Sequence, residues 1–505
     1  LTLDSLRNVI GENWEVLLFT SENKSRTKLP EHLIQDPRIQ IISQNQEFNI
    51  SHLSGEYFVF CQAGDQFFTT LLTHLYEQIE KSEPADLVYY DCEYHKDPSQ
   101  APRPLFKPSK PSPALLLSVN YLSRAFISRA TALEVMDDIN PEMSILGQEY
   151  DLAFRLIEKG KTIRHIPAVL VSQTDLVKPD HPEARKIITA HLSRLGLEDV
   201  NHSTTTSNTR FTWASGNPTT AIIIPTKNNH TLLKTLIDSI FSLTPNLDFS
   251  IHIVDNGSDD PSTLDYYETI SQDPTISIID YDAPFNYSEA INLGVAKSDS
   301  NLVLILNDDM QIFDDAWLNE LTQWAIRPEI GIVGAKLLRA NHTIQHAGII
   351  IGLNGFAGHI YLNAPEHYQG LFGSTDWYRD YLAVTGACQM MRREVFNEAG
   401  GYDEGYRLAF GDIDFCLRVN QLGYRNIFTP FTRLFHYEGQ SRGYITPKED
   451  VLKGLEVMAA YLETGDPNFS PNLTYTRIPK CVLQKQSQHS RVEQIEIRKQ
   501  FYLKD

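Results

Sequence analysis

Two adjacent acids, Asp308 and Asp309, close the apolar run NLVLILNDD (301–309), and Asp255 lies in a second such run, SIHIVDNGSDD (250–260). Charge is costly to bury unless it is paired or holds a metal. At the end of a buried strand, carboxylates become oxygen ligands for a hard cation such as Mg²⁺ or Mn²⁺, which in turn neutralises a diphosphate. The competing reading is a solvated turn or a cap for the next helix. Asp255 could accept a hydrogen bond from a pyrimidine N3–H or simply belong to an Asn-Gly turn. Asp412 opens an amphipathic stretch that ends at Gly423, and can be read as a helix cap or as a general base. Cleavage of a glycoside needs two carboxylates, because the leaving alkoxide must be protonated. Where a diphosphate leaves, a metal can take the charge and one base suffices. An acid pair plus one separate acid fits the second scheme. His436 and Arg442, in FHYEGQSRG (435–443), are either ordinary structural and surface residues or partners of that metal and diphosphate.

The elements that would hold these residues alternate. AIIIP (221–225) predicts a short strand closed by Pro225, and 230–243 predicts a helix with Leu232, Leu233, Leu236, Ile237 and Ile240 on one side. The runs at 250–260 and 301–309 predict two more strands, the latter followed by a helix over 315–326. Strands apolar nearly throughout, alternating with helices, predict a mostly parallel sheet covered on both faces, with ligands at the carboxyl ends of its strands. No GxGxxG follows the first strand, only Thr226-Lys227-Asn228-Asn229, which argues against a dinucleotide site.

The first half repeats this grammar. WEVLLFTSEN (14–23) parallels the second strand and GEYFVFCQAGDQF (55–67) the third; GQEYDLAFRLIEKG (147–160) parallels FGDIDFCLRVNQLG (410–423), and HIPAVLV (165–171) parallels the strand near 427–435. Matching order and spacing predict an internal duplication. The expected division is a first domain over 1–175, a linker with one short helix over 176–218, a second domain over 219–463 and a surface tail over 464–505. The opening LTLDSLRNVI reads as a helix entered partway.

Composition narrows the partners. A net charge of −20 over 505 residues repels nucleic acid and anionic lipid, so an anionic ligand would need a local cation. The five cysteines stand at neither metal-ligand nor redox spacing, which points to a reducing cytoplasm. No apolar run approaches the roughly 20 residues of a membrane span.

Together the segments IIIPTKN (222–228), IVDNGSDD (253–260), PFNYSEAINLG (284–294), LILNDDMQI (304–312), WLNEL (317–321), GIVGAKLL (331–338), IQHAGIIIG (344–352), VTGACQMMRREVF (384–396), GGYDE (400–404), FGDIDFCLR (410–418) and FHYEGQSRG (435–443) resemble glycosyltransferase family 2 of bacterial surface-polysaccharide assembly. The resemblance implies two tandem GT-A (Rossmann-like) α/β domains, the second catalytic and inverting. It implies that Asp255 contacts the nucleobase beside Pro225, Thr226 and Asn228. Asn307-Asp308-Asp309 occupies the DxD position, with Asp308 near the ribose and Asp309 as metal ligand. Asn286, Gly386 and Arg442 would join the nucleotide-sugar site, His436 the metal, and Asp412 would be the base, with Gly411 where a helper Glu often stands. The implied cofactor is Mn²⁺ or Mg²⁺. The implied partners are a dTDP- or UDP-sugar, with rhamnose the favoured sugar, and a glycan or lipid-linked glycan acceptor, at the inner face of the plasma membrane if membrane-associated. Trp377 and Tyr381 are expected either to stack on the acceptor sugar or to be core.

The first copy resembles the same family but departs from it at the site. Thr20-Ser21 replaces the nucleobase Asp, Ala63-Gly64-Asp65 keeps one acid of the DxD, and the first strand is missing, while Glu149 remains at the base position and His165 near the later histidine. This half is expected to be inactive, as a scaffold or acceptor-binding module. Two other readings of the chain are a catalytically dead carbohydrate-binding or assembly protein and a metal-dependent nucleotidyltransferase. The latter would want a basic Gly-rich loop, and none is evident.

Overall fold

A computed structural model describes residues 1–11, 13–20, 30–31, 35–43, 50–81, 83–95, 100–205, 208–244, 248–437 and 446–476. The chain divides into two compact units, Leu1–Leu197 and Glu198–Asp505. The expected linker does not survive this division. The helix Pro182–Arg194 packs against the helix Ile145–Glu158 in the first unit, burying Ile187, Ile188 and Leu192, whereas 201–212 forms a hairpin in the second.

In the first unit, β1 (Val16–Thr20) and β2 (Ile39–Ser43) form a parallel pair. A separate sheet contains β3 (Tyr57–Phe58), β4 (Gln66–Phe67), β5 (Leu87–Tyr94), β6 (Arg103–Leu105), β7 (Phe126–Ser128) and β8 (Ile163–Gln173). Its main path runs β3-β7-β5-β8-β4.

The second unit opens with the hairpin β9 (Asn201–Thr204) and β10 (Thr209–Thr212). Its sheet begins with β11 (Thr220–Thr226), β12 (Phe249–Asp255), β13 (Ile276–Asp280), β14 (Leu302–Leu306), β15 (Met310–Ile312), β16 (Ile330–Leu338) and β17 (Ile344–His346). Two small ladders follow, β18 (Ile349–Ile351) with β19 (Ala357–His359), and β20 (Gln369–Gly370) with β21 (Gly373–Ser374). The sheet is completed by β22 (Arg379–Tyr381), β23 (Cys388–Arg392) and β24 (Arg425–His436), in the order β13-β12-β11-β14-β23-β16-β24-β15. The expected helix at 230–243 is His230–Leu243, with Leu233, Leu236, Ile237 and Ile240 buried as their spacing requires.

The sheet is mixed where a mostly parallel one was expected. Strands β11 to β14 are parallel, but β23 enters antiparallel between β14 and β16, and β15 lies antiparallel on β24. Neither departure leaves a trace in apolar patterning, because a fully buried strand reads the same in either direction. Every residue of β14 and β16 is buried. The tail also differs from expectation. Its described part tucks Phe469 and Leu473 into the second unit, and the buried Asp466 carboxylate accepts the Ile351 N–H at 2.9 Å.

The path β14-β23-β16-β24-β15 repeats β3-β7-β5-β8-β4 of the first unit strand for strand. In both, the second strand is antiparallel to its two neighbours, the third and fourth are parallel, and the last is antiparallel.

Candidate active site

Strand ends gather the acids of the second unit. Thr226 ends β11, Asp255 ends β12, and β14 runs directly into Asn307-Asp308-Asp309. The Thr226 hydroxyl donates to Asp308 Oδ2 at 2.6 Å, linking the first strand end to the acid pair. After Asp309 the chain turns into β15, whose pairing with β24 sets Met310 opposite His436. That register brings His436 Nε2 to 3.2 Å from Asp309 Oδ1. Both side chains are buried, and among the described residues Asp309 Oδ1 and His436 Nδ1 have no hydrogen-bond partner. Orphaned buried polar atoms are costly unless a ligand satisfies them.

These two residues fit a hard divalent cation. Among the described residues no group of three or more His, Cys, Asp or Glu is arranged to hold an ion. A cation here would therefore draw one carboxylate and one imidazole from the protein and its other ligands from phosphate or water, a donor set that Mg²⁺ and Mn²⁺ accept.

Asp412 approaches from another element. Its helix is Gly411–Gln421, with Phe410 at the N-cap in the left-handed region at φ 64°, so Asp412 lies inside the first turn rather than at the cap. Its Oδ2 accepts the Gly386 N–H at 2.8 Å. A side chain at 386 would crowd it, since a Cβ there would stand 3.0 Å from Asp412 Cβ. Burial raises the Asp412 carboxyl above the ordinary range, against the pull of backbone hydrogen bonds from Gly386 and Ile413. A raised pKa makes a carboxylate a better proton acceptor. The loop entering this helix is fixed from far away in sequence. Buried Asp450, on the helix Lys448–Thr464, accepts the N–H groups of Arg407, Leu408 and Ala409 at 3.1, 2.8 and 2.9 Å.

Asp412, Gly386, Asn307, Asp308, Asp309 and His436 all line one cavity of about 410 Å³. Its wall also contains Tyr287, Gln345, His359 and Phe410, which sequence reasoning did not single out. The Tyr287 hydroxyl lies 3.1 Å from both Asn307 Oδ1 and the Gly386 carbonyl, bridging the acid strand to the Asp412 side. His359 shares a 2.8 Å Nδ1–Nδ1 hydrogen bond with His346. Burial pushes His359 down to about 4, with His436 and Arg339 adding to the effect, and pushes His346 well below the ordinary range. Both rings are therefore neutral near pH 7. No lysine or arginine is among the described lining residues.

The remaining expected residues lie elsewhere. Pro225 is a buried strand residue. The Asp255 carboxylate accepts the Ser258 N–H at 2.9 Å, the Ser258 hydroxyl and the Tyr267 hydroxyl at 2.8 Å. Asn228 Oδ1 accepts the N–H groups of Asp259 and Asp260 at 2.9 and 3.0 Å. Asn286 caps the helix Tyr287–Ala296 by accepting the Glu289 N–H, and its Nδ2 donates to the Glu404 carbonyl at 2.7 Å. These residues shape turns and do not line the cavity. Of the two readings of Trp377 and Tyr381, packing selects the core. They are 3% and 1% exposed, with the Trp377 ring against Gly373 and the Tyr381 ring against Gly348, so neither offers a face to a sugar. Arg442 lies outside the described residues.

Residues 221–400 match the model of Glycosyl transferase family 2. The O-antigen biosynthesis protein RfbC of Myxococcus xanthus is 32% identical over 94% of this chain, which spans 39% of that protein's length. The N-acetylglucosaminyl-diphospho-decaprenol L-rhamnosyltransferase of Mycobacterium tuberculosis (strain H37Rv) is 22% identical over 40% of this chain and 71% of its own. Among solved structures, GalNAc-T7 with UDP, GalNAc and Mn²⁺ aligns at a TM-score of 0.42 and 15% identity, covering 56% of this chain and 58% of that one.

Proposed function

We propose that the second unit is an inverting glycosyltransferase of GT-A type. It moves a sugar from a dTDP- or UDP-sugar to a hydroxyl of a bacterial surface glycan, free or lipid-linked, and rhamnose is the favoured sugar. The observation that carries this reading is the placement of Asp412 on the wall of the same cavity as Asn307, Asp308, Asp309 and His436. Asp412 takes the proton of the acceptor hydroxyl as its oxygen bonds to the anomeric carbon, and the bond to the diphosphate breaks with its electron pair leaving on the diphosphate oxygen. Asp309 and His436 would hold Mn²⁺ or Mg²⁺, which would supply positive charge to neutralise the diphosphate. The described lining residues include no lysine or arginine, so no fixed side-chain cation among them could do this instead.

Asp308 orients the nucleotide from its fixed position against Thr226. Gly386 and Ile413 keep the base aimed through their N–H groups. Asp255 reads the base edge through whatever acceptor capacity Ser258 and Tyr267 leave. The first unit contributes no transfer, and serves as scaffold or acceptor-binding module. Peripheral association with the inner face of the plasma membrane is part of this proposal; among the described residues no helix is long and apolar enough to cross a membrane.

A thermal-shift and turnover screen of UDP-, dTDP- and GDP-sugars with Mn²⁺ or Mg²⁺ tests this reading, because a binder stabilises the fold by mass action. The expected result is metal-dependent stabilisation and turnover by at least one donor. Absence of both across the panel overturns the enzyme reading and leaves the carbohydrate-binding alternative.

A further inference from the structure

The helix Ile145–Glu158 of the first unit carries Glu149, whose Oε1 accepts the Arg124 N–H at 2.6 Å. Arg124 stands two residues before β7, just as Gly386, which gives its N–H to Asp412, stands two residues before β23. Asp65 stands immediately before β4, as Asp309 stands before β15. The same two carboxylate positions thus recur on the repeated strand path, but the loop residue between them is an arginine instead of a glycine.

The Arg124 side chain fills the space between the acids. Its Nε lies 2.6 Å from Asp65 Oδ2, its Nη2 donates to Asp65 Oδ1 at 3.3 Å, and its Nη1 is 3.5 Å from Glu149 Oε2. Arg124 and Asp65 are 0% exposed and Glu149 1%. Its backbone is held at φ 63°, the left-handed region that non-glycine residues rarely adopt. Such strain persists only where the surroundings over-determine it. Arg124 Nη1 and Glu149 Oε2 lack hydrogen-bond partners among the described residues.

We propose that Arg124 is the permanent cation of the first unit, its guanidinium occupying the place between Asp65 and Glu149 that a free cation would otherwise take. Removing it uncovers a cation site of two carboxylates that accepts Mn²⁺ or a guanidinium ion. The parallel with the second unit rests on the reading given above, but the site itself does not.

The test is Mn²⁺ stoichiometry by electron paramagnetic resonance on the whole chain carrying Asp309→Ala, which disables the second unit's acid. With Arg124 intact this chain is expected to bind no Mn²⁺ tightly. With Arg124→Gly added it is expected to bind one ion per chain, and low-millimolar methylguanidinium is expected to restore the lost thermal stability while leaving the Arg124 chain unmoved. Absence of both Mn²⁺ uptake and methylguanidinium rescue in the Arg124→Gly chain overturns the proposal. Should that variant not fold, the Asp309→Ala chain with Arg124 intact decides, since tight Mn²⁺ there is contradictory and none is supporting. If the second unit binds no metal at all, the wild-type chain shows none while the Arg124→Gly chain still gains one, so the two failures are distinguishable.

Discussion

In the second unit, Asp309 and Asp412 line an open cavity; in the first, Asp65 and Glu149 close on the buried side chain of Arg124. The strands beneath follow the same path with the same senses. The framework is set by buried strands such as β5 and β16, whose pairing runs through the backbone. The site is set by single residues on loops between those strands: Gly386 leaves room beside Asp412, whereas the Arg124 side chain pairs with Asp65 and Glu149. Replacing Gly386 would be equally consequential, because a side chain at that position runs into Asp412.

The largest expected effect separates the two acid positions before β15 and β4. Asp309→Ala and His436→Ala should each lower kcat/KM by several kcal/mol, about three orders of magnitude, and remove the metal dependence of donor binding. Asp65→Asn should leave transfer intact and act on stability alone. Equal losses from Asp309→Ala and Asp65→Asn would break the contrast.

Next comes Trp377→Ala, expected to destabilise the second unit by about 3–5 kcal/mol through the cavity it leaves, while the acceptor KM of the folded fraction stays within a few-fold. A large rise in acceptor KM at unchanged stability would return Trp377 to the site.

Buried groups in both units should also respond to pH. Burial pushes the Glu149 carboxyl up to about 7 despite Arg124, so the folded first unit holds a proton that the unfolded chain releases. Its contribution is present below about pH 4.5 and lost as pH rises through 7, on the order of 3 kcal/mol. His359, lowered to about 4, works in the other direction: its contribution is present above about pH 6.5 and lost as pH falls toward 4. Thermal melts between pH 5 and 8 should show the first unit loosening as pH rises, with Glu149→Gln flattening that trend; in the second unit buried Asp466, pushed up to about 7, opposes His359.

The smallest effect expected is from Asp450→Asn. It weakens three charge-assisted hydrogen bonds to the loop at 407–409, costing about 1–3 kcal/mol of stability and lowering kcat more than it raises KM.

The acids of the second unit were legible because each ends a strand or opens a helix that local patterning reveals; the helix at 230–243 was legible to the residue. What patterning missed are contacts between distant segments. Nothing around Tyr287 says that its hydroxyl lies between residues 307 and 386. Asp450 lies about forty residues from the loop it holds, and Arg124 resembles any loop arginine until Asp65 and Glu149 close on it. The antiparallel entry of β23 was invisible for a related reason, since strand direction is decided by pairing rather than by composition. Trp377 and Tyr381 show the limit from the other side, because aromatics suited to sugar stacking are equally suited to a core.

The central claim is that transfer belongs to Asp412 and not to its counterpart Glu149. Initial-rate measurements on the folded whole chain, with a donor that turns over, test it through Asp412→Asn and Glu149→Gln. The account predicts that Asp412→Asn lowers kcat by about 10² to 10⁴ while Glu149→Gln keeps it within a few-fold. Loss of transfer in Glu149→Gln with activity retained in Asp412→Asn would contradict it.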